Sequence, residues 1–135
     1  EELLGDFRPR ALTRNLSLFS DIEPDVTVSG DRDSLRTLLS VLMDNAVKYT
    51  PEGGRVTLSV HREKKAVIAL SNTRDSHTEL SVDQLFERFY RAPEHRASQD
   101  GNGLGLSIAH EIVTMYGGSI HAEETCDTIT FTAEL

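Results

Sequence analysis

Cysteine, basic charge and long apolar runs are all scarce in this sequence, and each shortage excludes a class of protein. Cys126 is the only cysteine, so the chain forms no intrachain disulfide and no cluster of thiolate metal ligands. It reads as a buried, inert thiol rather than a nucleophile, and it fits a reducing cytoplasm. Acidic residues outnumber basic ones by 22 to 14, for a formal charge of −8. That balance argues against a nucleic-acid backbone as partner, where affinity comes from neutralising phosphates. A small phosphate ligand, which needs only a few placed cations, stays open. No stretch approaches the ~20 apolar residues of a membrane helix, and no charged-then-apolar leader is visible. The first residue is Glu1 rather than Met, which reads as a fragment or processed product with any membrane anchor outside it. Repeats, low-complexity tracts and linkers are missing too. The 135 residues, 38% hydrophobic and 27% charged, suit one folded domain with a single substantial core.

The strongest local pattern lies at 31–49, DRDSLRTLLSVLMDNAVKY. Asp31 is an N-cap candidate, because a short carboxylate accepts the free N–H groups of a first helical turn. Leu35, Leu38, Leu39, Leu42 and Ala46 recur at spacings of three and four and so share one face. At ~100° per residue, Val41, Asn45 and Lys48 form a narrow stripe beside that face. An amide and an ammonium one turn apart at the edge of a core suit a metal and its phosphates. Pro51 and Gly53-Gly54 stop the helix.

Elsewhere the pattern predicts a short helix from about Pro9 to about Phe19 and a short strand at Val26 and Val28 leading into Asp31. Two strands follow at 55–61 and 66–72 across a charged turn at Glu63-Lys64-Lys65. The first alternates, with one face solvated, while the second is continuously apolar, as in a strand covered on both faces. Leu85 to Arg91 reads as one or two turns of aromatic-rich helix, and 92–102 as a flexible polar loop. A second long helix opens at Gly103-Leu104-Gly105 with an apolar face of Leu106, Ile108, Ala109, Ile112, Val113 and Tyr116, and Gly117-Gly118 ends it. A closing hairpin at 119–123 and 128–135 sets Ile129, Phe131 and Ala133 against threonines. The expected architecture is an α/β two-layer sandwich, a mixed sheet of about five strands with helices on one face.

Gly101-Asn102-Gly103-Leu104-Gly105 is a glycine-rich approach to a helix N-terminus. It is not a dinucleotide fingerprint, because no strand precedes it, and no Lys-Ser/Thr pair makes it a phosphate loop. Bare N–H groups and the positive end of the helix dipole suit an anion there. The same glycines read equally well as a hinge with a close helix–sheet contact. His110-Glu111 lacks a second histidine four residues on, so the zinc-protease motif fails.

Three segments in this order and spacing, DNAVKYTPEGG, LFERFYRAPEHR and GNGLGLSIAHEIVTMYGG, resemble the N, F and G2 boxes of bacterial sensor histidine kinases. The resemblance covers nearly the whole chain as a catalytic ATP-binding domain and implies the Bergerat, or GHKL, fold. It implies Mg²⁺ coordination by Asn45, phosphate contact by Lys48, and packing of Tyr49 near the adenosine. It also implies a cation facing the triphosphate at Arg91, a lid at 92–102, and backbone approach to phosphates at Gly101, Gly103, Leu104, Gly105 and Leu106. Thr130 resembles the strand threonine near the adenine. Asn72 stands where the family has the aspartate that accepts the adenine amino group, and an amide oxygen can accept the same bond. The implied partners are an upstream dimerisation domain carrying the acceptor histidine and a response regulator. The implied setting is a cytoplasmic domain of a membrane-anchored sensor.

Two departures stand out. The family's Asp-x-Gly-x-Gly box is replaced by Asn72-Thr73-Arg74-Asp75-Ser76, so both glycines are gone. Val41 occupies the first asparagine position of the N box, which in ATP-hydrolysing relatives is a glutamate that activates water. Valine is no base, so a gyrase-type hydrolase is disfavoured. A kinase needs none, since an acceptor imidazole is itself the nucleophile and catalysis is positioning and charge neutralisation. The same departures motivate the alternative of a degenerate, non-catalytic nucleotide-binding or docking module.

Overall fold

The computed structural model describes residues 2–74, 86, 105–125 and 127–135. In chain order these form α1 (Glu2–Thr13), β1 (Ser17–Ile22), α2 (Arg32–Tyr49), β2 (Arg55–Arg62), β3 (Ala66–Thr73), α3 (Gly105–Met115), β4 (Ser119–Glu124) and β5 (Thr128–Glu134). The five strands make one mixed sheet in the order β1-β2-β3-β5-β4, with β1 parallel to β2 and every other pair antiparallel. The β1–α2–β2 unit is the crossover that lets two parallel strands pair.

The helices cover one face of the sheet. Leu4, Phe7 and Ala11 of α1, Leu38, Leu42, Met43, Ala46 and Val47 of α2, and Ala109, Ile112 and Val113 of α3 join a single core. From the sheet this core takes Val56, Leu58, Ile68, Leu70, Ile129, Phe131 and Ala133. These strand residues share one face by register and alternation. The two-layer expectation holds, and the central hairpin, the closing hairpin and α2 fall within one residue of their expected bounds.

The N-terminal expectation does not hold. Helix α1 starts at Glu2 and stops at Thr13, and residues 17–22 are strand. Asn15 takes a left-handed φ of 59°, and the Leu16 N–H reaches back to the Ala11 carbonyl at 2.8 Å. This is a left-handed helix stop built on asparagine. The buried stripe is Leu4, Phe7 and Ala11, while Leu12 is 78% exposed. Pro9 sits inside the helix on its exposed side. Val26 and Val28 are irregular rather than strand. Ile108 is exposed, one position off the Ala109, Ile112, Val113 stripe. The apolar run of β3 reflects its central place in the sheet, since the described helices lie on one face only. Apart from Phe86, the aromatic block at 85–91 and the loop at 92–102 lie outside the described residues.

Candidate functional site

Helix α2 is anchored at both ends. At its start, Asp31 accepts hydrogen bonds from the Ser34 hydroxyl (2.8 Å) and from the N–H groups of Ser34 (3.2 Å) and Asp33 (3.4 Å). The Ser34 side-chain bond, then its N–H, pull the Asp31 carboxyl below its ordinary pKa near 3.8. At its end, two last-turn carbonyls that lack intrahelical partners, Val47 and Lys48, receive the Arg14 guanidinium. The Lys48 bond measures 2.9 Å. The turn carrying Lys48 and Tyr49 is therefore held from the α1–β1 corner, a cation at the negative end of the helix dipole.

Helix α3 meets α2 at its own first residue. A Cβ built on Gly105 would lie 3.4 Å from Val41 Cγ1, so the N-terminus of α3 begins beside the turn that precedes Asn45. Asn45, Lys48, Tyr49, Gly105 and Leu106 are all half-buried. At the other end of α3, the Tyr116 hydroxyl donates to the Asp31 carbonyl at 2.6 Å and its ring fills the space beside Gly30. Phe86 packs between the middle of α3 and β5, its ring edge-on to Phe131 and tilted against His110, both at 6.0 Å between centroids.

Asn72 is the most telling residue of the sheet. It lies at the end of β3, 5% exposed, on the face covered by the helices. Its Nδ2 donates to the Thr73 carbonyl at 3.1 Å. Its buried Oδ1 has no hydrogen-bond partner among the described residues. Such an atom costs about 1–3 kcal/mol when left unmet. The Thr73 bond fixes which way the amide points, with the acceptor left over. An adenine amino group is a donor of the kind this atom lacks, so the residues fit a purine base.

Thr130 is not brought to that face. Across the sheet Asn72 pairs with Ile129, while Thr130 pairs with Ser71, and the two hydroxyls bond at 2.8 Å on the opposite side. Because Phe131 points into the core, its neighbour cannot. Arg91, Gly101, Gly103 and Leu104 lie outside the described residues. Among the described residues no group of three His, Cys, Asp or Glu could hold a metal, and no helix is long and apolar enough to cross a membrane.

Two features escaped the sequence reading. Arg74, at a position where the resembled box has glycine, is buried, and its Nη1 meets Glu124 Oε2 at 3.1 Å. Glu124 shares the sheet row of Asn72 and Ile129, so its carboxylate lies on the same face as Asn72. Asp44 is the second. Its carboxylate takes Arg10 Nη2 at 2.7 Å and Lys48 Nζ at 3.3 Å. Partial burial works to raise its pKa, but the hydrogen bonds and charges of Arg10 and Lys48 outweigh it, and the net direction is down. Folded pKa values of Asp31 and Asp44 below the unfolded ones mean stabilisation that is present above the ordinary value near 3.8 and lost as pH falls through the folded values. Urea midpoints should therefore hold steady from about pH 7 to 5 and fall below about pH 4, and Asp44→Asn should flatten part of that acid limb.

The model of the histidine kinase-, DNA gyrase B- and HSP90-like ATPase family matches residues 30–135. The probable sensor protein PcoS of Escherichia coli is 35% identical over 116 residues, 84% of this chain and 25% of that protein. Sensor histidine kinase WalK of Bacillus subtilis is 37% identical over 115 residues, 80% of this chain and 19% of that protein. Among solved structures, the nucleotide-free catalytic domain of histidine kinase ThkA superposes with a TM-score of 0.84 at 24% identity, covering 99% of this chain and 87% of that one. The chain spans about a quarter of the length of PcoS. A cap-held helix, a glycine helix start packed on it and a buried acceptor at a strand end thus meet a family match over most of the sequence: the chain belongs to the histidine kinase-, DNA gyrase B- and HSP90-like ATPase family, as an ATP-binding domain of the sensor histidine kinase type.

Proposed function

We propose that the chain is the catalytic domain of a longer sensor kinase, one that binds Mg·ATP and presents the γ-phosphoryl to a histidine on an upstream dimerisation domain. A response regulator would then receive the phosphoryl group, and the domain would work on the cytoplasmic side of a membrane-anchored sensor. The observation that carries this reading is the buried Asn72 Oδ1, unmet among the described residues and on the helix-covered face.

In this reading Asn72 accepts the adenine amino group, and the start of α3 from Gly105 to Leu106 offers N–H groups to the phosphates. Lys48 neutralises phosphate charge and Tyr49 packs beside the adenosine. Asn45 is the amide ligand to Mg²⁺, an ion that takes few protein ligands when phosphates and water supply the rest. Arg91 and the glycines Gly101 and Gly103, with Leu104, would complete the phosphate side. The magnesium ion supplies charge neutralisation for phosphoryl transfer, and this chain's residues supply binding and orientation. Val41 leaves the site without a base to activate water, which favours transfer over hydrolysis.

Calorimetric titration with Mg·ATP or a non-hydrolysable analogue tests the reading. Binding is expected, and Lys48→Ala should weaken it about tenfold, a charge-assisted contact, without loss of helical signal. No heat and no thermal shift at millimolar nucleotide would overturn it. The buried Arg74 in place of a box glycine favours one rival, a module that keeps the fold for docking. That rival fails if the protein extended through its upstream helical domain takes up labelled phosphate on histidine.

A further inference from the structure

Lys48 does not stand free at the phosphate side. Its Nζ lies 3.3 Å from Asp44 Oδ2, while Arg10 of α1 holds Asp44 Oδ1 at 2.7 Å. One carboxylate is thus divided, oxygen by oxygen, between a cation of its own helix and a cation reached across 34 residues of sequence. All three side chains are part-exposed, at 44%, 39% and 33% for Arg10, Asp44 and Lys48. That exposure lets Lys48 leave without opening the core.

The charges decide what leaving costs. With Arg10 in place, Asp44 stays paired when Lys48 turns to a polyphosphate, and no half-buried carboxylate is left alone. Without Arg10, Lys48 is the only cation on Asp44 among the described residues. Its departure would then strand a negative charge one helical turn from Lys48, where it repels the polyphosphate Lys48 is to meet. Resting on the function proposed above, we propose that Arg10 is a positioning residue for nucleotide binding: by holding Asp44 it releases Lys48 to the phosphates. A surface pair that only fastened α1 to α2 would affect stability and nothing else. In the proposed arrangement α1 is an input to the site, since any shift that withdraws Arg10 returns Lys48 to Asp44 and lowers affinity.

The test is a double-mutant cycle on the chain as it stands. Mg·ATP affinity is measured by calorimetry, with melting midpoints recorded separately and titrations run well below all of them. Arg10→Gln should weaken binding about threefold, the scale of one part-exposed ion pair. In an Asp44→Asn background the same substitution should change affinity little, because Lys48 is already released, and the double variant should bind at least as well as the native chain. An equal loss in both backgrounds would mean that Arg10 acts on the phosphates through space and would overturn the proposal. A lowered midpoint with unchanged affinity would overturn it as well, leaving a structural clamp. A native chain that binds no Mg·ATP would overturn the proposed function together with this inference. Native binding with no effect of Lys48→Ala would overturn this inference and the role of Lys48 alone.

Discussion

Asn72→Leu should cost nucleotide affinity about tenfold or more while raising the melting midpoint by about 3 °C, the equivalent of roughly 1 kcal/mol in a chain of this size. Leucine keeps the branched heavy-atom skeleton of asparagine and suits a position flanked on its sheet row by Val56 and Ile129. It removes the buried Oδ1 that no described residue meets and forfeits the single bond from Nδ2 to the Thr73 carbonyl. Removing an unmet polar atom is worth about 1–3 kcal/mol, and the lost bond offsets about 0.5–1.5 of that. The ligand side has no such offset. A base amino group buried against leucine gives up its bond to water and gains none, which is worth about 1–3 kcal/mol, or about five- to 150-fold in affinity. Opposite signs in stability and binding mark a ligand-binding atom, whereas a structural asparagine would lose both together. Thermal melts with and without Mg·ATP read both quantities from the same samples. Unchanged affinity would remove Asn72 from the base site, and a midpoint lowered by several degrees would show that Oδ1 is paired in the free protein.

The parts of this site that were legible in the sequence are those written in local chemistry. Asp31 before an apolar stripe marks an N-cap wherever the helix packs, and the stripe of α2 places Asn45 and Lys48 beside the core without reference to any other element. The central hairpin announces itself by alternation and a charged turn. The N-terminal segment failed because Leu12, Leu16 and Phe19 imitate a helical period across a left-handed Asn15 that ends the helix. Glycine at that position is a stop signal, and asparagine, which tolerates the same backbone, was the available clue. The face of Thr130 was legible in principle, since Phe131 beside it points inward and strand neighbours cannot share a face. What no local pattern carries is Arg10 on Asp44 or Arg14 on the end of α2. Those contacts exist because the fold sets α1 and its exit beside a helix more than thirty positions away, and arginines outside the apolar stripe have no period to betray their partners.

Gly118→Ala should lower the melting midpoint by about 10 °C, roughly 3 kcal/mol, a large value for one methyl group. A Cβ on Gly118 would overlap the carbonyl oxygen of Glu134 and sit 3.0 Å from its carbonyl carbon and 3.3 Å from Leu135 Cα. These are backbone atoms of β5 and its end, so no rotamer change relieves the clash, and the chain leaving α3 would have to move off the sheet. The Gly118 N–H also closes the helix by donating to the Val113 carbonyl at 3.0 Å. Gly53→Ala is the control. Gly53 has φ 82° and open space around its Cβ, so alanine there should cost only the left-handed backbone penalty of about 1–2 kcal/mol. A larger loss at Gly118 than at Gly53 separates steric overlap from backbone preference. The effect should reach the site as well. Helix α3 is pinned at its far end by Gly118 and by the Tyr116 bond to Asp31, and its first residue rests on Val41. Lifting the exit of a rigid helix shifts its start, and with it the N–H groups that the proposed function assigns to the phosphates. At a temperature where the variant remains folded, Mg·ATP affinity should therefore fall as well, whereas Gly53→Ala, at the turn before β2, should leave it near the native value. Equal affinity in native chain and Gly118→Ala would show that the position of α3 does not set phosphate binding.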